Sequence, residues 1–129
     1  MPITVVDHSV PNQIVAVVTG EVGVPEILEF AAAQRGGEHR AWALIFDASR
    51  AVLNVTAADV QNLAALAAED LTRSPIGPVL IIASTPATFG LSRMFQSYSG
   101  IAGRTNVRVF RSMDEAQDWL ASPSSGPGC

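Results

Sequence analysis

The chain contains no lysine: all eight of its basic residues are arginines, spread from Arg35 to Arg111 without forming a run. Against twelve acidic residues they leave a net charge of −4. A nucleic-acid backbone demands clustered positive charge, so a nucleic-acid partner is not expected. Cysteine is almost as scarce. Cys129 stands alone, which supplies neither a disulfide framework nor a zinc spacing. The two histidines, His8 and His39, are not in ligand spacing either, and no metal or cofactor is expected. No apolar run approaches the roughly 20 residues of a membrane span. The opening MPITVVDHSV lacks a basic region followed by an apolar one, so neither a signal peptide nor membrane insertion is expected, and the cytoplasm is the expected location. There is no G-x-S-x-G elbow, no Walker loop and no G-x-G-x-x-G, the local signatures of common nucleophilic and nucleotide chemistry.

What remains is a chain of 129 residues, 48% hydrophobic, enough for one domain with a proper core. It is organised around Trp42–Asp70. The apolar run Trp42-Ala43-Leu44-Ile45-Phe46 ends at Asp47, a short irregular segment follows, and Thr56-Ala57-Ala58-Asp59 opens a helix. This spacing predicts a buried central strand, a loop at its carboxyl end and a capped helix, and such loops are where open α/β sheets bind ligands and partners. In that helix Val60, Leu63, Ala64, Ala67 and Leu71 form an apolar stripe.

The same unit recurs on both sides. Ile3–Val6 and Ile14–Val18 are β-branched runs joined through Ser9-Val10-Pro11-Asn12, a hairpin signal. His8 reads as a solvated turn residue. Gly20-Glu21-Val22-Gly23 reads as a turn, after which Val24, Ile27, Leu28 and Ala31 share one helical face until Gly36-Gly37. Glu38-His39-Arg40 is expected to be an exposed loop. Ser74-Pro75 and Gly77-Pro78 turn the chain into a second apolar run, Val79–Ala83. Thr85-Pro86 is an N-cap followed by proline at the first helical position, and Leu91, Met94, Phe95 and Tyr98 lie on one face of that helix. Gly90 within its first turns costs about 1 kcal/mol relative to Ala, which predicts close packing or close backbone approach there. Val107-Arg108-Val109-Phe110 suits an edge strand, and Ser112-Met113-Asp114-Glu115 is a capping box. The predicted order is β-β-α-β-α-β-α-β-α, an α/β fold with a mixed, mostly parallel sheet of four or five strands and four helices. Strands are expected near 14–19, 42–47 and 79–84, and helices near 24–35, 57–72, 87–99 and 113–121. One domain is expected over 1–121, with 122–129 too rich in Pro, Gly and Ser to order itself.

Ile45-Phe46-Asp47-Ala48-Ser49, followed by the helix opening at Thr56, resembles the core stretch of STAS domains, those of anti-sigma-factor antagonists and sulfate-transporter tails. Ala83-Ser84-Thr85-Pro86 with Phe89-Gly90-Leu91-Ser92-Arg93-Met94-Phe95-Gln96 looks like a branch of small bacterial SpoIIAA-like proteins, as does the ending from Val107 to Leu120. The resemblance implies a SpoIIAA-like fold, shared with CRAL-TRIO lipid carriers. It also implies protein or nucleotide binding, with Thr56 at the place where the antagonists carry their phosphoacceptor. Thr replaces the usual Ser, and Ala57-Ala58 replaces the small Ser/Gly residues after it.

From the residues themselves, Asp47 and Ser84 or Thr85 at adjacent strand ends suggest a phosphoacceptor receiver, but that chemistry needs a lysine the chain lacks. Asp47 is expected to bond the amides of its own loop. The candidate ligand or partner loop comprises Asp47, Ser49, Arg50, Ser84, Thr85, Phe89, Gly90 and Arg93, with helix-start amides available to an anion. The expected function is a non-enzymatic regulatory or protein-interaction module with an unidentified protein partner. Consecutive right-handed crossovers gather helices on one sheet face, and the strands are apolar on both. The uncovered face would then favour a homodimer. The alternative is a carrier of a lipid-like or nucleotide-like molecule. A large enclosed apolar cavity near Phe89–Tyr98 marks the carrier, and a filled core with a flat apolar surface marks the module.

Overall fold

The computed structural model describes residues 3–7, 12–36, 42–71 and 77–121. His8, the 9–11 part of the first turn, Gly37, the 38–40 loop, the Ser74-Pro75 turn and the 122–129 tail lie outside the described residues. The elements follow the expected order: β1 (Ile3–Asp7), β2 (Gln13–Gly23), α1 (Val24–Gly36), β3 (Ala43–Asn54), α2 (Ala57–Leu71), β4 (Val79–Ile82), α3 (Pro86–Ile101), β5 (Val107–Phe110) and α4 (Met113–Ala121). The strands form one sheet in the order β1-β2-β3-β4-β5. β1 runs antiparallel to β2, and the remaining pairs are parallel.

Two segments expected to be irregular are strand. Gly20–Gly23 is not a turn, and Ser49–Asn54 is not a loop; they pair with each other, Gly20 with Ala51 through Gly23 with Asn54. A β-bulge explains why neither was legible. Val17 faces Asp47 and Thr19 faces Arg50, so β3 carries one residue more than β2 across that step. An extra residue reverses the alternation of faces. Leu44, Phe46 and Ala48 point to the helix-covered core before the bulge, and Ala51 and Leu53 do so after it. Asp47 Oδ1 accepts from the Ser49 amide at 3.1 Å and so supports the kink from within. Gly20 sits opposite Ala51 with φ +73°, a conformation glycine adopts without steric cost.

Consecutive parallel neighbours require crossovers of one hand, and α1, α2 and α3 accordingly share one sheet face, around Leu44, Phe46, Val79 and Ile81. The opposite face, expected to be open, is covered over β4 and β5. α4 turns back across it, and Ala116 with Met113, Trp119 and Leu120 packs on Ile45, Leu80, Ile82 and Phe110. Arg108 lies over the Trp119 ring at 5.7 Å. The buried strand centre is therefore dry on both sides: Ile45 and Leu80 are fully buried. Among the described residues the exposed large apolar side chains are Val5, Val52, Leu66 and Ile101, spread over different elements.

Candidate functional site

Three helix starts are organised by polar side chains. At α2, the Asp59 amide donates to Thr56 Oγ1 at 3.1 Å and the Thr56 amide donates to Asp59 Oδ2 at 2.9 Å, a reciprocal capping box with Asp in the Glu position. At α3, Thr85 takes an extended conformation and its Oγ1 accepts from the Thr88 amide at 3.3 Å. At α4, Ser112 Oγ accepts from the Glu115 amide at 3.2 Å, while Glu115 Oε1 reaches back to the Arg111 amide at 2.8 Å.

The carboxyl ends of β3 and β4 bring part of the expected loop cluster together. The Ser84 hydroxyl donates to the Ser49 carbonyl at 2.9 Å, tying the end of β4 to the bulge. Phe89 on α3 carries the Arg111 guanidinium over its ring at 4.1 Å, a contact across elements that no spacing revealed. Arg50 is exposed on the β3 extension, and Arg93 is exposed and bonds Gln96 Oε1 at 3.3 Å within its own helix. Gly90 is exposed, and a Cβ there would meet nothing within 4 Å. The close packing expected at Gly90 is therefore absent, and the residue is simply a tolerated glycine on a wet helix face. Thr56 lies apart from this cluster, past the end of β3. Its partner Asp59 lines a hollow with Glu21, Glu26 and Asn54, where the Asn54 amide nitrogen donates to Glu21 Oε1 at 2.9 Å. No group of three or more His, Cys, Asp or Glu among the described residues could hold a metal ion.

A second, apolar space lies elsewhere. Between α1, α2, α3 and the sheet is a partly open cavity of about 190 Å³. α1 contributes Ile27, Leu28, Phe30 and Ala31; α2 contributes Val60, Leu63, Leu66 and Ala67; α3 contributes Leu91 and Phe95. Leu44, Phe46, Ala48, Leu53, Val79 and Ile81 form its floor. Only Gln34, Ser92 and Arg104 interrupt this wall with polar side chains. Of the aromatic helix face singled out in the sequence, Phe95 lines the cavity, whereas Phe89, Met94 and Tyr98 do not. The apolar stripe of α2 was legible as a core face; that it faces a space was not, because periodicity reports sidedness and not fit.

No family model matches the chain, and no curated protein matches it. Among solved structures it is similar to a crystal structure of an uncharacterised protein of the DUF3478 family, with a SpoIIAA-like fold, from Shewanella loihica PV-4. The two share 13% identity over 92% of each chain, with a TM-score of 0.56. The chain has a SpoIIAA-like fold. The resemblance read from the sequence is upheld at that level, as are the mixed sheet of five strands and its four helices. In the SpoIIAA-like frame the cavity lies under the three crossover helices. No helix among the described residues is long and apolar enough to cross a membrane.

Proposed function

We propose that this SpoIIAA-like module binds a small apolar molecule in the cavity between its crossover helices and its sheet. The cavity itself carries this reading. Protein interiors pack as densely as organic crystals, and apolar cavities of roughly 150 Å³ stay dry and take up benzene. A partly open space of about 190 Å³ walled by Leu, Ile, Val and Phe supports uptake of such a molecule. The exposed apolar side chains are scattered, so the flat apolar surface that marks an interaction module has less support. The test is native mass spectrometry of the chain purified without denaturant, followed by binding of an environment-sensitive apolar dye. A bound small-molecule mass, or dye uptake by the wild type that Ala67→Phe abolishes, is the expected result. Dye uptake that Ala67→Phe leaves unchanged overturns the reading.

A second reading, a regulatory protein-interaction module that can pair with itself, draws on one observation: Thr56 is exposed at the start of α2, with its hydroxyl in the capping box. A phosphate there would place nearly two negative charges beside Asp59 and near Glu21 and Glu26. That would break the box and change the surface a partner meets. Partner pull-downs with Thr56→Ala and Thr56→Glu, together with phosphate mapping by mass spectrometry in the native host, test it. An unchanged partner set and no phosphate would leave Thr56 as a cap.

A further inference from the structure

Resting on the cavity reading above, we propose that the occupant is a neutral molecule of one aromatic ring with a single hydrogen-bond donor, a phenol in chemical class, its donor on the Ser92 hydroxyl. Three rings, Phe30, Phe46 and Phe95, stand in the cavity wall. Phe30 and Phe46 are tilted by 54° with centroids 5.9 Å apart, within the tilted geometries that aromatic pairs prefer. A guest ring beside them extends the same arrangement, which a saturated chain does not. The space suits that size. An apolar cavity of roughly 150 Å³ takes up benzene, and this one, at about 190 Å³, has room for a ring and a substituent atom.

Ser92 supplies the polar end. It lies about one helical turn before Phe95 on the same side of α3, lines the cavity and is 3% exposed. A hydroxyl carries one donor and two acceptor lone pairs. Even with its proton turned to the carbonyl one turn back, as helical serines can do, the oxygen keeps a lone pair for a donor on the guest. The other polar side chains of the wall, Gln34 and Arg104, already have partners in the protein. The bond from Arg104 Nε to Asn106 Oδ1 at 2.9 Å is one of several interactions of that side chain. An acid would therefore bring its charge into an apolar wall whose cation is already engaged, and an unpaired buried carboxylate is costly. A neutral donor avoids that cost.

The experiment measures toluene, phenol and benzoate by isothermal titration calorimetry on the whole chain, in wild type and Ser92→Ala. Toluene reports the ring alone, so the phenol-to-toluene affinity ratio isolates the donor. That ratio is expected to fall about fivefold in Ser92→Ala, the size of one net hydrogen bond. Benzoate is expected to bind the wild type at least about tenfold more weakly than phenol. Intermolecular nuclear Overhauser effects on the wild type give a readout that needs no variant: the ortho protons of bound phenol should contact the Ser92 β-protons. An unchanged ratio, or ortho-proton contacts elsewhere in the wall, overturns the Ser92 assignment and leaves the cavity reading standing. Benzoate binding as tightly as phenol overturns the neutral class. Binding of none of the three by the wild type overturns both the assignment and the cavity reading.

Discussion

At the level of single residues, the chain spends its small polar side chains on backbone. Thr56, Thr85 and Ser112 cap helices, Asp47 supports the bulge, and Ser84 ties β4 to it. The caps were legible because a capping residue and its partner lie three apart in sequence, and the Asp47 bond because it closes its own loop two residues on; the Ser84 tie, across 35 residues, was not. The stacking of Arg111 on Phe89 and the withdrawal of Arg104 from solvent were not, since both join positions through the fold. The capping box at α2 makes a definite claim. Thr56→Ala is expected to lower stability by about 1 kcal/mol, measured by urea unfolding at constant m. Thr56→Glu is expected to cost more, because it sets a second carboxylate against Asp59 at the position of the lost hydroxyl. Equal losses in the two variants would remove Asp59 as the source of any phosphate response.

At the level of elements, glycine is where sequence and structure part. Gly20 and Gly23 bracketed an expected turn and Gly90 suggested close packing, yet Gly20 and Gly23 belong to a long strand and Gly90 faces solvent. Composition marks a glycine but not its φ. The bulge hid β3 in the same way: one extra residue after Asp47 swaps the faces, so the run from Ala48 to Asn54 shows no single alternation. Strand and helix centres were legible because Ile14–Val18, Trp42–Phe46 and Val79–Ile82 are continuous apolar runs. The two exposed glycines now predict opposite signs for the same change. Neither has any atom within 4 Å of an added Cβ. Gly90→Ala replaces a costly helix residue and should gain about 0.5–1 kcal/mol. Gly20→Ala forces a side chain into φ +73° and should lose about 1 kcal/mol. Paired thermal melts check both, and a destabilised Gly90→Ala would restore a packing role there.

At the level of the molecule, the readings turn on α4 and the cavity. The homodimer was motivated by an apolar sheet face without helices, and α4 occupies that face over β4 and β5. Light scattering at high concentration therefore separates the two readings: the carrier needs only one chain per particle, and a self-pairing module needs twice that mass. The cavity adds a test by mass action. A ligand that fills it at a hundred times its dissociation constant stabilises the folded chain by about 2.7 kcal/mol. The melting temperature should thus climb with added apolar dye, in proportion to the logarithm of its concentration. Ala67→Leu places methyl groups in the same space. It should raise the melting temperature of the dye-free chain and flatten the response to the dye. A wild type indifferent to the dye, or an Ala67→Leu chain that still responds fully, would mean that the space under the crossover helices closes in solution and holds nothing.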